Sequence, residues 1–139
     1  MSRDQRIRDL IAKWQPRLGL QAWDVRYNPA RKVGKGRDAE AALKRYLLLC
    51  EIGIRKNCPD SELEAHVLHE LIHVVIDPLA FKAQTMAGAL CEDHTVLLDE
   101  TGDVIEAVIE RLVNAMLNRR QMPYGKKAAK HFSTFMDAA

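Results

Sequence analysis

Cysteine is scarce. Cys50, Cys58 and Cys91 are an odd number with no Cys-x-x-Cys pair among them, which excludes a disulfide framework and a zinc ribbon and points to a reducing, cytoplasmic setting. Long apolar runs are missing as well, none approaching the roughly 18 residues of a membrane-spanning helix. The opening Met-Ser-Arg-Asp-Gln-Arg-Ile-Arg-Asp is too charged to lead a secretory segment, so neither membrane anchorage nor export is expected. Charge of one sign is also lacking: 21 Lys and Arg against 19 Asp and Glu leave a net charge of +2. That total argues for neither nucleic acid nor an anionic surface. No repeat and no low-complexity stretch interrupts the chain. The basic, glycine-containing segment Arg31 to Arg37 lacks the glycine spacing of a phosphate loop and reads as a solvated turn.

What is present fits one globular α+β domain over residues 1–139, with 47% hydrophobic and 29% charged residues and a basic tail from about residue 119. Ile7, Leu10, Ile11 and Trp14 recur at helical spacing, and Pro16 with Gly19 predicts the stop. Ala22 to Tyr27 alternates apolar and polar as a half-buried strand does, ending at Asn28-Pro29. Ala39 to Lys44 has helix-forming composition. Arg45 to Ile54 is short and apolar and predicts a strand, broken or bulged near Gly53. Asp60-Ser61 with Glu64 offers a cap and a capping-box acid, and Asp77-Pro78 a terminus, so a helix is expected between them. A short helix near Phe81 to Leu90 and a last long helix from Asp103 to about Leu117 complete the expectation.

The central helix carries the unusual chemistry. At 100° per residue, Leu63, Val67, Leu68, Leu71, Ile72, Val74, Val75 and Ile76 cover most of its circumference. What remains is a stripe of Glu62, His66, His69, Glu70, His73 and Asp77. Polar groups on so apolar a helix must line a cleft or find partners, because burying one unpaired costs about 2–7 kcal/mol. His69-Glu70-Leu71-Ile72-His73 is an His-Glu-x-x-His sequence. Residues four apart share one helical face, so two imidazoles can bind one zinc ion while the glutamate sits beside the water that zinc holds. His66 has no such partner and reads first as a core histidine hydrogen-bonded to backbone or a carboxylate, the alternative being a place facing substrate or supporting a ligand.

Two imidazoles and a water leave a four-coordinate zinc one protein ligand short. Cys91, His94, Asp99, Glu100, Asp103, Glu106 and Glu110 are the downstream candidates. On the last helix Val104, Ile105, Val108, Ile109, Leu112 and Met116 form an apolar face that Val113 and Leu117 widen. Glu106 falls within that widened margin, where a metal would balance its charge. It is therefore the expected third ligand, with His94 its rival. Glu110, one turn on, is expected to orient a ligating imidazole.

Trp23-Asp24-Val25 on an early strand, an apolar strand before the active helix, His69-Glu70-Leu71-Ile72-His73, and Glu106-Ala107-Val108-Ile109-Glu110-Arg111-Leu112 on a closing helix together resemble the minigluzincins. These are small zinc metallopeptidases of the zincin superfamily, often encoded by phages. The likeness covers about Leu18 to Leu117. It implies a zincin-like fold, a small mixed sheet packed on the active helix with backing helices. It further implies His69, His73 and Glu106 as zinc ligands, Glu70 as catalytic base, and a peptide or protein as substrate. By the same likeness Leu47 to Ile54 would be the edge strand that pairs with substrate. His66, His94, Tyr46 and Tyr124 are the candidate donors to an oxyanion, with nothing in the sequence to choose among them. A tail holding His131 would be able to cover the cleft. Two alternatives stand beside this reading. One is a catalytically silent, zinc-stabilised interaction domain of phage origin, closed by His66 or His94 as a fourth ligand. The other is a DNA-associated SprT-like protease using Arg3, Arg6, Arg8, Arg119, Arg120, Lys126, Lys127 and Lys130, although the zinc-ribbon cysteines of that kind have no counterpart.

Overall fold

A computed structural model describes the backbone of residues 1–90 and 94–119 and the side chains of 1–89 and 99–119. The chain divides into two compact units, one spanning Met1–Ile76 and one beginning at Asp77. Among the described residues the architecture is α+β: three α-helices and a three-stranded mixed sheet. Among the described residues no helix is long and apolar enough to cross a membrane.

The first unit opens with helix α1 (Arg3–Arg17). Ser2 caps it, its hydroxyl accepting from the Gln5 amide at 3.2 Å, which satisfies one of the four donors that a helix start leaves unpaired. Pro16 lies inside the last turn, and the chain reverses through Gly19 at φ +71°, a conformation glycine adopts without steric cost. Strands β1 (Asp24–Tyr27), β2 (Ala39–Lys44) and β3 (Leu49–Ile54) follow. The sheet order is β1-β3-β2, with β1 parallel and β2 antiparallel to β3.

Three expectations change here. Ala39 to Lys44 is a strand rather than a helix, since pairing of Ala39 with Ile54 through Lys44 with Leu49 outweighs the helix propensity of Ala, Glu, Leu and Lys. The strand expected at the edge of the sheet, β3, is its centre, so it has no free edge to offer a substrate. No bulge occurs at Gly53, which pairs with Glu40 in unbroken register. The glycine has another reason to be there. A Cβ at Gly53 would meet the Arg31 side chain at 3.0 to 3.1 Å, and Arg31 crosses this face to reach Glu51 at 3.1 Å and Glu40 at 3.8 Å. The basic loop is therefore tied to the sheet at Arg31 rather than merely solvated.

Helix α2 (Leu63–Leu90) supplies the rest of the first unit's core. Ile7 of α1, Cys50 and Ile52 of β3, and Leu63, Val67, Leu68 and Leu71 of α2 are all fully buried. The helix begins differently from the capping-box expectation. A 3-10 turn, Asp60–Glu62, leads into it, with Pro59 at the cap and no side-chain cap bond. Glu64 instead accepts from the Trp14 indole at 2.9 Å and from Lys13 at 2.5 Å. Arg6 meets Asp60 at 2.9 Å, and Arg3 donates to the carbonyls of Arg55, Lys56 and Cys58. Helix α1 thereby fixes where the histidine-bearing helix starts.

In the second unit α2 continues through Pro78 to Leu90 rather than ending at Asp77. Proline costs a helix about 3 kcal/mol through its missing donor and its clash with the preceding turn. Leu79, Ala80, Lys82, Ala83, Gln84, Met86 and Ala87 beyond it are strong helix formers and sustain the winding. The expected short helix near Phe81 is this continuation. Helix α3 (His94–Met116) starts well before the expected Asp103. It closes with Asn118 at φ +52°, Asn118 donating to Ala115 and Arg119 to Asn114 at 2.8 Å, the paired bonds of a left-handed C-terminal cap. Its buried residues are Ile109, Val113 and Asn114. The expected apolar face is only partly buried, because Val104, Val108, Leu112 and Met116 are exposed. Val75 on α2 is exposed too.

Candidate metal centre

One turn of α2 brings His69 and His73 together as their spacing predicts. Their Nε2 atoms lie 3.2 Å apart, with ring centroids separated by 5.0 Å and planes inclined at 60°. Two ligands each about 2.0–2.1 Å from a tetrahedral zinc stand roughly 3.3 Å from each other. The observed separation thus matches the edge of a zinc tetrahedron. It also suits a hydrogen bond between two neutral imidazoles, one protonated at Nε2 and the other not. Both rings are half-buried, accessible to an ion and a small ligand.

Glu70 is 6% exposed, the one fully buried member of the polar stripe. A carboxylate so placed requires compensation by charge or hydrogen bonds. Its influence reaches the sheet: burial, followed by the negative charge of Glu70, pushes the Cys50 thiol up to about 12. Cys50 is therefore a protonated core residue and no thiolate ligand.

For Glu106 the expected apolar surrounding is absent. Its side chain is exposed, so no apolar margin forces a counter-charge on it. One ligand atom each from His69, His73 and Glu106 nevertheless lie within 4.8 Å of one another. The donor set, two imidazole nitrogens and one carboxylate oxygen, is one of the combinations that zinc takes in hydrolytic sites with a position left for water. Among the described residues no fourth His, Cys, Asp or Glu joins the group.

The remaining candidates separate from it. His66 stands outside the group, its Nε2 4.0 Å from the Asp38 carboxylate just before β2. Glu110 is exposed one turn beyond Glu106, and Asp99, Glu100 and Asp103 do not join the three. Tyr46 is fully exposed on the 3-10 turn Arg45–Leu47, which removes it as an oxyanion donor inside a cleft. Cys91, Arg120, Tyr124, Lys126, Lys127, Lys130 and His131 lie outside the described residues, as does the side chain of His94.

Asp38 beside His66 and the Trp14–Glu64 anchor escaped sequence reasoning. Both are contacts between distant segments, and no local spacing announces them. The anchor leaves an electrostatic trace, since the Lys13 ammonium bonded to Glu64 holds its carboxyl below the ordinary glutamate range, assisted by the Trp14 indole. Comparison with models of known protein families, with curated proteins and with solved structures gives no match.

Proposed function

We propose that the chain is a zinc metallopeptidase of minigluzincin-like, zincin type. His69, His73 and Glu106 hold the ion and Glu70 serves as the catalytic base. The observation that carries this reading is the His69–His73 pair, with Nε2 atoms 3.2 Å apart on the helix turn that also bears the buried Glu70. The order of elements supports it: a small mixed sheet precedes the helix that carries the motif, as in the zincin-like arrangement.

Zinc bound there would polarise a scissile carbonyl and lower the pKa of a coordinated water to about 7. Glu70, adjacent to His69 in the chain, would be the group that takes a proton from the attacking water and gives it to the departing amine, one carboxylate serving as base and then acid. An extended peptide is the substrate class. Strand β2 is the antiparallel edge of the sheet, and the residue before it, Asp38, faces His66 on the ligand-bearing helix. A substrate strand adding to β2 would pass beside the histidine stripe, with main-chain bonds for affinity and His66 available to substrate.

DNA association is the weaker reading. Arg3 and Arg6 are engaged with Asp60 and with backbone carbonyls, so most of the N-terminal basic cluster works within the fold. The silent interaction domain calls for a closed site, and the three-residue donor set favours an open one. The test is peptide-bond hydrolysis by the zinc-loaded chain on a mixture of unlabelled peptides read by mass spectrometry. Cleavage lost on chelation and in Glu70→Gln is expected. Cleavage unchanged in Glu70→Gln would contradict the assignment.

A further inference from the structure

The opposite edge of the sheet has its own recess, unrelated to the metal-binding residues. It is a cavity of about 480 Å³ between α1 and β1, lined by Arg8, Ile11 and Gln15 from the helix and Val25, Arg26 and Tyr27 from the strand. Successive residues of a strand point to opposite faces. A cavity touching three in a row therefore runs along the edge of the strand rather than over one face.

Among the described residues that edge is the unpaired one. Asp24 donates to the Leu48 carbonyl at 2.8 Å and Asn28 to that of Ile52 at 2.9 Å, so alternate residues from Asp24 address β3. Val25 and Tyr27 then turn their amides and carbonyls the other way. Among the described residues β1 pairs with β3 alone, and neither amide bonds another segment. Open strand edges with free main-chain groups are templates for a further strand, and proteins usually block them.

Here the walls fit a particular strand. Ile11 and Val25 supply an apolar floor. Arg8 lies over the Tyr27 ring at 5.9 Å and carries its charge on an exposed side chain at the mouth. Arg26 is paired with Asp24, so among the described residues lining the recess Arg8 is the cation left to meet an incoming carboxylate. The chain's own basic tail would bring charge of the wrong sign.

We propose that the β1 edge is a docking site for an extended peptide of a partner protein, one that alternates apolar and acidic side chains and adds to the sheet beside Val25 and Tyr27. The main chain of the peptide bonds the two free amides and carbonyls, an apolar side chain rests on Ile11 and Val25, and a carboxylate meets Arg8. This surface is at the other edge of the sheet from β2, and docking there needs neither metal nor catalysis.

The test is fluorescence anisotropy of a labelled, capped hexapeptide of alternating Val and Glu, titrated with the full chain and, to prevent cleavage, with Glu70→Gln. Saturable binding by both is expected, weakened roughly tenfold by Arg8→Glu through loss of a charge-assisted contact. A peptide with Lys replacing Glu should bind worse. Of two peptides N-methylated at alternate residues in opposite phases, one should lose binding. Should Arg8→Glu lose its helical circular dichroism, Arg8→Gln takes its place with the same expected direction. Absence of saturable binding, equal binding of the lysine peptide, or full binding by both methylated peptides overturns the proposal. A dimer in sedimentation that the peptide does not dissociate would place a second copy on this edge and overturn it equally. His69→Ala should leave the binding intact, which separates this outcome from any result at the metal centre.

Discussion

His69 and His73 face each other through Nε2 atoms 3.2 Å apart on one turn of α2. That separation suits either one shared ion or a hydrogen bond between the rings, and Glu70, which lies between them in the chain, is buried. The two proposed ligands and the proposed base thus fall on one turn of one helix.

Glu70→Gln separates binding from chemistry. The substitution keeps the shape of the side chain and removes its basicity, so zinc content should match that of the wild type while hydrolysis falls by about 10²–10⁴-fold, the usual scale for a general base. Parallel measurement of zinc stoichiometry and cleavage rate checks this. A loss of zinc together with activity would mean that Glu70 holds the site together rather than acting on water.

Acid should weaken the anchor between α1 and α2. The folded pKa of Glu64 is lowered by Lys13 and Trp14, so the unfolded chain binds more protons as pH falls. The contribution is fully present above the ordinary glutamate range of about 4.3 and is lost as pH drops through the lower folded value. Glu64→Gln should lower Tm at neutral pH and show a shallower decline on acidification than the wild type. Thermal melts followed by circular dichroism between roughly pH 7 and 3 read both effects. Identical slopes for the two proteins would show that Glu64 does not contribute.

Gly53→Ala tests the Arg31 crossing. The added methyl meets the Arg31 stem at 3.0 to 3.1 Å, and that side chain must shift at the expense of its pairing with Glu51. A loss of about 1 kcal/mol is expected, at the low end of the cost of overpacking. In an Arg31→Ala background the cost should shrink, a coupling that urea denaturation of the four proteins measures. Equal costs in both backgrounds would free Gly53 from this explanation.

What could be read without the structure follows the range of the interactions involved. The histidine pair depends on residues four apart in one helix, and its geometry follows from helical periodicity alone. Strand β2 was obscured because Ala39-Glu40-Ala41-Ala42-Leu43-Lys44 has helical composition and becomes a strand through pairing with β3, a non-local contact. The same contact puts β3 at the centre of the sheet and moves the free antiparallel edge to β2. Pro78 was misleading because a local stop signal lost to the helix formers that follow it. The apolar surrounding that the sequence suggests for Glu106 is not there, since its side chain is exposed; a helical wheel does not say which part of an apolar face the fold covers. Trp14 looked like simple core and proved also to anchor Glu64.

The most direct measurement is zinc per chain by elemental mass spectrometry, on untagged protein purified without added metal, for the wild type beside Glu106→Ala. The expected result is near one zinc per wild-type chain and a large loss in the variant, since two imidazoles alone leave zinc a protein ligand short. A wild type that takes up no zinc even after incubation with the stoichiometric metal would contradict the metal centre, and His69 and His73 would then be a hydrogen-bonded pair of the fold.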